Sequence, residues 1–417
     1  MKKKFGLLGE KLKHSFSPMI HTYLGDYEYP LYEISNSDLD LFMTEKYFDG
    51  INITIPYKQS VIPYCASISE EAQSIGSVNT IIKDKEGLLY GYNTDYHGFC
   101  TMMKIGKINP NGKKVLVLGD GGSARTVRAA LSDLSAREII TISRRGENNY
   151  SNIANHRDAQ IIINTTPVGM FPDNNSSPLS LESFNQLTGA ADLIYNPMRT
   201  KLLLEAEKMG IACVNGLTML ISQAEMASCL FLNIPQRPEL VNIIKKAITD
   251  KTQNIALIGM PGCGKSTASK NIAQAMNRPL ADIDELITEA AGKSIPQIFA
   301  EDGEDAFRRM ETQILREQAA KNGIVIATGG GVVTRAENLN LLRQNSLIIY
   351  LKRGLNDLEK KGRPLSGSVG IETLAKQRLP LYEAWSDIIV NVKAAPELTA
   401  AEIIKEIENY STCHLSV

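Results

Sequence analysis

Long apolar runs, blocks of like charge and paired cysteines are all missing from this chain, and each absence removes a class of function. No uninterrupted apolar stretch approaches the ~20 residues that span a bilayer, so no membrane helix is expected. The formal net charge is −1, from 45 Lys+Arg against 46 Asp+Glu spread along the sequence, which points away from nucleic acid or an anionic membrane surface as partner. The six cysteines (Cys65, Cys100, Cys213, Cys229, Cys263 and Cys413) show neither a paired framework nor C-x-x-C spacing, the pattern of reduced thiols in a cytoplasmic protein. The five histidines lack metal-ligand spacing. No internal repeat is present, and the opening MKKKFGLLGEKLK loses its apolar run at Glu10, short of the roughly 7–15 residues of a secretory core. A small-molecule enzyme is what these exclusions leave.

At roughly 100–200 residues per domain, 417 residues imply two to four domains. Val- and Ile-rich runs (KKVLVLGD, EIITIS, AQIIINTT, then NIALIGM, GIVIATGGG, SLIIYL, DIIVNV) alternate with helical patterns, which argues for an α/β chain of parallel sheets covered by helices. The polar stretch AITDKTQN, Ala247 to Asn254, marks the main boundary. It divides a two-lobed first half from a second domain: a first lobe at 1–98 completed by about 225–248, a nucleotide-type lobe at 99–224, a linker at 249–253, and a domain at 254–410. The apolar run Met219 to Leu232 reads as a late helix packing back on the first lobe, so a cleft is expected between the lobes.

In the second domain, Gly259-Met-Pro-Gly-Cys-Gly264-Lys265-Ser266 fits G-x-x-x-x-G-K-S between the strand NIALI and a helix-compatible stretch. Glycines there let backbone N–H groups turn toward an anion at a helix N-terminus, while Lys265 neutralises phosphate charge and the Ser266 hydroxyl can ligate Mg²⁺. Asp282 and Asp284 stand two apart in PLADIDELI. On a strand both carboxylates would share one face; as cap and first-turn acids of the following helix they would be structural. Arg308 and Glu311 share a helix face at i, i+3, as ligand site or as ion pair. Gly329, Gly330 and Gly331 follow a strand, where backbone could meet a ligand closely. Arg363 sits on a Gly-bounded loop suited to a lid, and Arg308 and Arg378 suit an acidic acceptor because a guanidinium grips a carboxylate with two parallel bonds.

Through GMPGCGKST, DID, FRRME, TGGG, RPL and RLPLY in order, residues 254 to about 408 resemble shikimate kinase. The resemblance implies a P-loop parallel α/β domain of the nucleoside-monophosphate-kinase type. It places shikimate on Asp284, Arg308, Gly330 and Arg378, ATP on Gly262, Cys263, Gly264, Lys265, Ser266 and Thr267, and Mg²⁺ on Ser266 and Asp282. Asp284, Lys265 and the lid residue Arg363 would be catalytic.

The first half carries Gly119-x-Gly121-x-x-Ala124 between the strand KKVLVLG and a helix-compatible run, a dinucleotide signature. Where an acidic residue would bind a ribose hydroxyl, Ser143-Arg144-Arg145 stands instead, and two cations favour NADP over NAD. Asp120, inside the glycine loop, faces phosphate unless its side chain turns away. In KHSFSPMIH, Ser15 precedes Ser17, a candidate N-cap before Pro18. In GINITIPYK, Ile51, Ile53 and Ile55 alternate with Asn52 and Thr54 until Pro56 ends the strand, with Lys58 at its mouth. SVNTII and GYNTDYHGF add Asn79, Asn93, Thr94 and Asp95. Lys58 and Asp95, from separate loops, could meet as an ammonium donor to a forming alkoxide and a carboxylate that orients substrate.

These residues, with INTTPVGMFP, DLIYNP and GLTMLISQAE, resemble shikimate dehydrogenase over residues 1 to about 250. What that implies is an α/β substrate lobe plus a Rossmann NADP lobe, with Ser15, Ser17, Thr54, Lys58, Asn79, Asp95, Tyr195 and Gln223 around 3-dehydroshikimate. Lys58 and Asp95 would be the catalytic pair, and Gly119, Gly121, Gly122, Ser123, Ala124, Arg144 and Arg145 would hold NADP(H). The chain is then expected to be bifunctional, reducing 3-dehydroshikimate with NADPH and phosphorylating the shikimate formed with ATP and Mg²⁺. Asp120 and Ser143 keep an NAD-dependent quinate/shikimate dehydrogenase as an alternative. A non-catalytic front half serving as a scaffold is the other, and the joint presence of Lys58 and Asp95 speaks against it.

Overall fold

A computed structural model of the chain describes residues 2–12, 15–358 and 370–414. The chain divides into two compact units, residues 1–195 with 200–248 and residues 196–199 with 249–417. The 249–253 stretch, expected as a linker, is helical through Thr252. The helix Glu239–Thr252 keeps its apolar spacing through Val241, Ile244 and Ile248, all buried, and its last turn simply continues.

The first unit contains two sheets. Its six-stranded sheet runs in spatial order Leu31–Glu33, Leu7–Gly9, Gly50–Ile53, Thr80–Lys83, Leu89–Tyr92 and Ser67–Ile68. The outer pairings are parallel, whereas Gly50–Ile53, Thr80–Lys83 and Leu89–Tyr92 pair antiparallel, which sets Asn52 directly opposite Thr80. Ile51 and Ile53 are buried, but Ile55, expected on the same face, is 73% exposed. The strand stops at Ile53, and a turn closed by Tyr57 N–H to Thr54 O rotates Ile55 out of the pleat.

The five-stranded sheet is wholly parallel, ordered Ala212–Val214, Gly189–Asp192, Ile161–Asn164, Lys114–Leu118, Glu138–Ile142. Its central strands KVLVL and IIIN are buried at every position, as strands covered on both faces must be. Strand order reverses between Lys114–Leu118 and Ile161–Asn164. In doubly wound sheets a ligand crevice opens outside the carboxyl ends at such a point.

Two long helices, Thr94–Ile105 and Leu217–Leu232, pack against each other. Gly98 makes the crossing close, since a Cβ there would lie 2.6 Å from the Met219 carbonyl oxygen. The second helix is buried almost all round. Met219 meets Phe99 and Met102, Ile221 and Ala224 meet Ile20 and Val241, and Phe231 stacks on Phe5.

The second unit has one parallel sheet, ordered Leu280–Asp282, Val325–Ala327, Asn254–Ile258, Ser346–Lys352, Ile388–Asn391. The strand Asn254–Ile258 is central, and the loop that leaves it opens at the carboxyl edge beside the segment leaving Val325–Ala327. No described helix is long and apolar enough to cross a membrane, and Cys65, Cys100, Cys213, Cys229 and Cys263 are free thiols.

Candidate active sites

In the first unit the expected pair is formed. Lys58 Nζ lies 2.5 Å from Asp95 Oδ2, with the side chains 13% and 5% exposed. Asp95 occupies the first turn of the helix Thr94–Ile105, where the unpaired N–H groups favour a carboxylate. The Lys58 carbonyl accepts from Val78 N–H, tying its loop to the Ser77–Thr80 segment. Asn79 is buried beside the pair. Its Oδ1 accepts from Thr94 N–H at 2.7 Å, and its Nδ2 donates to Thr94 Oγ1 at 3.0 Å and Gln223 Oε1 at 3.4 Å. Thr54 fits because Gly9 leaves it room: a Cβ on Gly9 would come within 2.7 Å of Thr54 Cγ2. The Tyr195 ring leans on Phe16 with centroids 5.1 Å apart, and burial raises its phenol above the ordinary value.

Ser17 departs from expectation. The short helix Ser17–His21 begins at Ser17 itself, Phe16 takes the cap position, and no side chain caps it. Ser17 N–H instead bonds Ser15 Oγ at 3.2 Å, so the Ser17 hydroxyl carries no capping duty.

At the carboxyl edge of the five-stranded sheet, Gly119 has φ 105° and packs where a Cβ would sit 2.8 Å from Thr165 Oγ1, while Gly121 and Gly122 face open space. The helix Gly122–Asp133 starts there, so Gly122, Ser123 and Ala124 offer the first-turn N–H groups suited to a phosphate. Asp120 turns away and pairs with Arg128 at 2.8 Å, which removes the conflict of an anion facing anions. Arg144 and Arg145 lie exposed just past the strand Glu138–Ile142, and neither forms an ion pair among the described residues.

In the second unit Gly259, Gly262 and Gly264 have φ 150°, 83° and 101°, and the helix Lys265–Ala275 begins directly after them. Lys265 Nζ donates to the carbonyls of Gly259 at 2.8 Å and Met260 at 3.1 Å, which centres the ammonium in the loop. Ser266 and Thr267 are exposed in the first helical turn, and Cys263 is buried in the core. Asp282 and Asp284 do not share a strand face. Asp282 ends its strand and caps the helix Ile283–Ala291, its Oδ1 accepting from Asp284 and Glu285 N–H, and Asp284 sits in the first turn.

Arg308 is buried and held by two carboxylates. Nη1 donates to Glu311 Oε2 at 2.8 Å, and Nε and Nη2 donate to Glu304 Oε1 at 3.3 and 3.2 Å. Burial works against its charge, but Glu311 and Glu304 outweigh it and raise the guanidinium pKa; burial also raises Glu311, against the pull of Arg308. The three glycines make room for protein rather than open space. A Cβ on Gly329 would lie 2.4 Å from Glu311 Oε1 and 2.9 Å from Asp284 Oδ1, on Gly330 2.6 Å from Pro261, and on Gly331 2.1 Å from both terminal nitrogens of Arg308. The Gly330 carbonyl accepts from Arg378 Nη1 at 3.1 Å and from the Tyr382 hydroxyl. Thus Asp284, Arg308 and Arg378 converge on one glycine turn beside the phosphate loop. Arg363 lies outside the described residues.

A family profile described as "Shikimate kinase" matches residues 261–408, and one described as "Shikimate dehydrogenase substrate binding domain" matches residues 7–81. The shikimate dehydrogenase (NADP(+)) of Clostridium perfringens is 38% identical over 253 residues, spanning 54% of this chain and 90% of that protein. The chain belongs to the shikimate dehydrogenase family, fused to a shikimate kinase domain. Among solved structures, a chorismate mutase/shikimate 5-dehydrogenase fusion protein from Clostridium acetobutylicum is 35% identical with a TM-score of 0.57, covering 60% of this chain and 98% of that one. The shikimate 5-dehydrogenase of Thermus thermophilus, solved in complex with NADP(H) and shikimate, is 31% identical with a TM-score of 0.53, covering 59% of this chain and 99% of that one. The fusion is a bifunctional shikimate-pathway enzyme, an oxidoreductase and a phosphotransferase in one chain.

Several site features escaped the sequence. In the dehydrogenase unit, Asp192 is fully buried: Oδ1 accepts from Asn164 Nδ2 at 3.1 Å and Ile194 N–H at 3.0 Å, and Oδ2 from Thr200 Oγ1 at 2.7 Å. Burial outweighs these three hydrogen bonds and lifts its carboxyl to about 7. Asn164 Oδ1 also accepts from Thr166 N–H, so one carboxylate anchors the Thr165–Gly169 loop and the Tyr195 segment together. In the kinase domain a cavity of about 230 Å³ lies beside the phosphate loop, lined among others by Gly264, Thr267, Arg353, Lys393 and Pro396, and adjoins a 590 Å³ groove that shares Arg353 and Lys393. Tyr382 was within reach of sequence reasoning, since it stands one helical turn after Arg378.

Proposed function

We propose that the first unit reduces 3-dehydroshikimate to shikimate with NADPH, and that the second phosphorylates the 3-hydroxyl of shikimate with ATP and Mg²⁺. What carries the reading is that one chain holds both a buried Lys58–Asp95 pair near a nucleotide crevice and a phosphate loop next to a glycine turn gripped by Asp284, Arg308 and Arg378.

NADPH would supply the hydride, with Gly119, Gly121, Gly122, Ser123 and Ala124 at its diphosphate and Arg144 and Arg145 at its 2′-phosphate. The exposed guanidinium groups, which form no ion pair among the described residues, and the open space at Gly121 and Gly122 suit those roles. As charge develops on the carbonyl oxygen, the Lys58 ammonium donates to it and Asp95 holds both ammonium and substrate in place. Ser15 and Ser17 face the ring carboxylate, while Thr54, Asn79, Tyr195 and Gln223 fix the remaining oxygens.

In the kinase domain Arg308 still has two N–H groups beyond its protein bonds, and with Arg378 it would grip the shikimate carboxylate. Asp284 accepts the proton of the attacking hydroxyl, and the Gly330 N–H faces the ring. Lys265 exchanges loop carbonyls for phosphate oxygens, with Gly262, Cys263, Gly264 and Thr267 around them. Mg²⁺ would be held by Ser266 and by Asp282, whose Oδ2 is not used in capping, and it neutralises phosphate charge. The cavity bounded by Arg353 and Lys393 suits the rest of the nucleotide.

Separate assays of the two reactions on one purified chain test this. Lys58→Ala should abolish dehydrogenation alone and Lys265→Ala phosphorylation alone. Loss of both activities through either change, or no turnover of either substrate by the parent chain, rejects the proposal.

A further inference from the structure

Beneath the amides that face the dehydrogenase substrate runs a row of hydrogen bonds that the hydride transfer does not itself require. Tyr29 Oη donates to Asn52 Oδ1 at 2.6 Å, Asn52 Nδ2 donates to Thr80 Oγ1 at 3.0 Å, and Thr80 Oγ1 donates to Asn79 Oδ1 at 3.2 Å. Asn52 and Thr80 meet because the antiparallel register sets them opposite each other. Thr80 and Asn79 are buried, so the inner bond of the row does not compete with water, while Tyr29 and Asn52 are half-buried.

Both ends of the row have a polarity that cannot be exchanged. A backbone N–H only donates, and Thr94 N–H bonds Asn79 Oδ1 at 2.7 Å; a backbone carbonyl only accepts, and Asn79 O takes Asn52 Nδ2 at 3.5 Å. These neighbours decide which end of each side-chain amide is nitrogen, which shape alone does not. With its oxygen held inward by Thr94 N–H at 2.7 Å and met at 3.2 Å by the Thr94 and Thr80 hydroxyls, which also bond each other at 3.1 Å, Asn79 presents Nδ2 to Gln223 Oε1 at 3.4 Å. Gln223 is left with Nε2 as the end that faces the cleft.

We propose that Tyr29, Asn52 and Thr80 are positioning residues that hold Asn79 in the amide orientation set by Thr94 N–H and, through it, orient Gln223, so that Gln223 meets the substrate as an N–H donor. The substrate atom read by Gln223 is therefore an acceptor, a hydroxyl or carbonyl oxygen. The inference rests on the dehydrogenase reading above.

The test is steady-state oxidation of shikimate with NADP⁺ by the full chain. Thr80→Val keeps the shape and removes the hydroxyl. It should raise the shikimate KM by about threefold to tenfold, the size of one lost neutral hydrogen bond, with kcat and the NADP⁺ KM changed less than about twofold. Thr80→Ser should restore the KM. Tyr29→Phe, which removes only the outermost donor and leaves the buried threonine, should raise the shikimate KM by about twofold to threefold. An unchanged KM in a folded Thr80→Val chain overturns the inference, as does a loss that serine fails to rescue; should Thr80→Val not fold, an unchanged KM in Tyr29→Phe overturns it equally. A parent chain that binds NADP⁺ yet leaves shikimate unoxidised rejects the dehydrogenase reading and this inference with it, an outcome distinct from a parent that turns over and a variant that behaves like it.

Discussion

Asp192 gives the first unit a pH-dependent stability whose sign and size follow from its surroundings. Three neutral donors approach the carboxylate, burial dominates, and its carboxyl titrates near 7 in the folded chain against 3.8 as the ordinary value. Between those two values the folded protein keeps a proton that the unfolded chain has released, so stability falls as pH rises through the interval and levels off above about 7. The drop amounts to about 4 kcal/mol at most. Asp192→Asn retains the shape and stays neutral: its Oδ1 accepts from Ile194 N–H and Asn164 Nδ2, and its Nδ2 donates to Thr200 Oγ1. The variant should match the parent near pH 4 and exceed it by about 2–4 kcal/mol at pH 8. Urea denaturation followed by circular dichroism from pH 4 to 8 measures the difference. The sole tryptophan, Trp385, lies in the second unit, so its emission follows that unit and serves as an internal reference. Parallel pH curves for parent and variant would show that Asp192 is ionised throughout, and the reasoning from burial would fail.

Gly331→Ala places a Cβ 2.1 Å from both terminal nitrogens of Arg308 and must displace that guanidinium; the kinase should lose at least about tenfold in kcat/KM for shikimate while the dehydrogenase rate stays level, and equal losses in both assays would contradict it. Gly98→Ala drives a Cβ to 2.6 Å from a backbone carbonyl and should cost the first unit about 1–3 kcal/mol, read as a lower urea midpoint by circular dichroism with the Trp385 transition unmoved.

What could be read from the sequence was what is local along it. The phosphate loop and the glycine turn at Gly119 lie between a strand and a helix, and the folded chain keeps both in that setting. Lys58 and Asp95 are 37 positions apart, so their meeting needed the order of motifs in a resemblance, not spacing. Asp282 illustrates an ambiguity that sequence cannot resolve: D-x-D fits either a strand face or a helix start, and the turn after Asp282 decides it. The glycines at 329–331 looked like room for a ligand, yet the room belongs to Glu311 and Arg308 of one helix, to Pro261 of the phosphate loop and to Asp284, partners from three separate segments. Asp192 left no trace, because an acidic residue at a strand end ordinarily reads as solvent-facing, and only the packing around it shows otherwise.

The close crossing at Gly98 has a mechanical consequence. Asp95 starts one of the two crossing helices and Gln223 rides on the other, and backbone against backbone leaves them no slack to slide. The crossing therefore keeps Asp95 and Gln223 at a fixed separation, and Lys58, bonded to Asp95, is tied to the same frame.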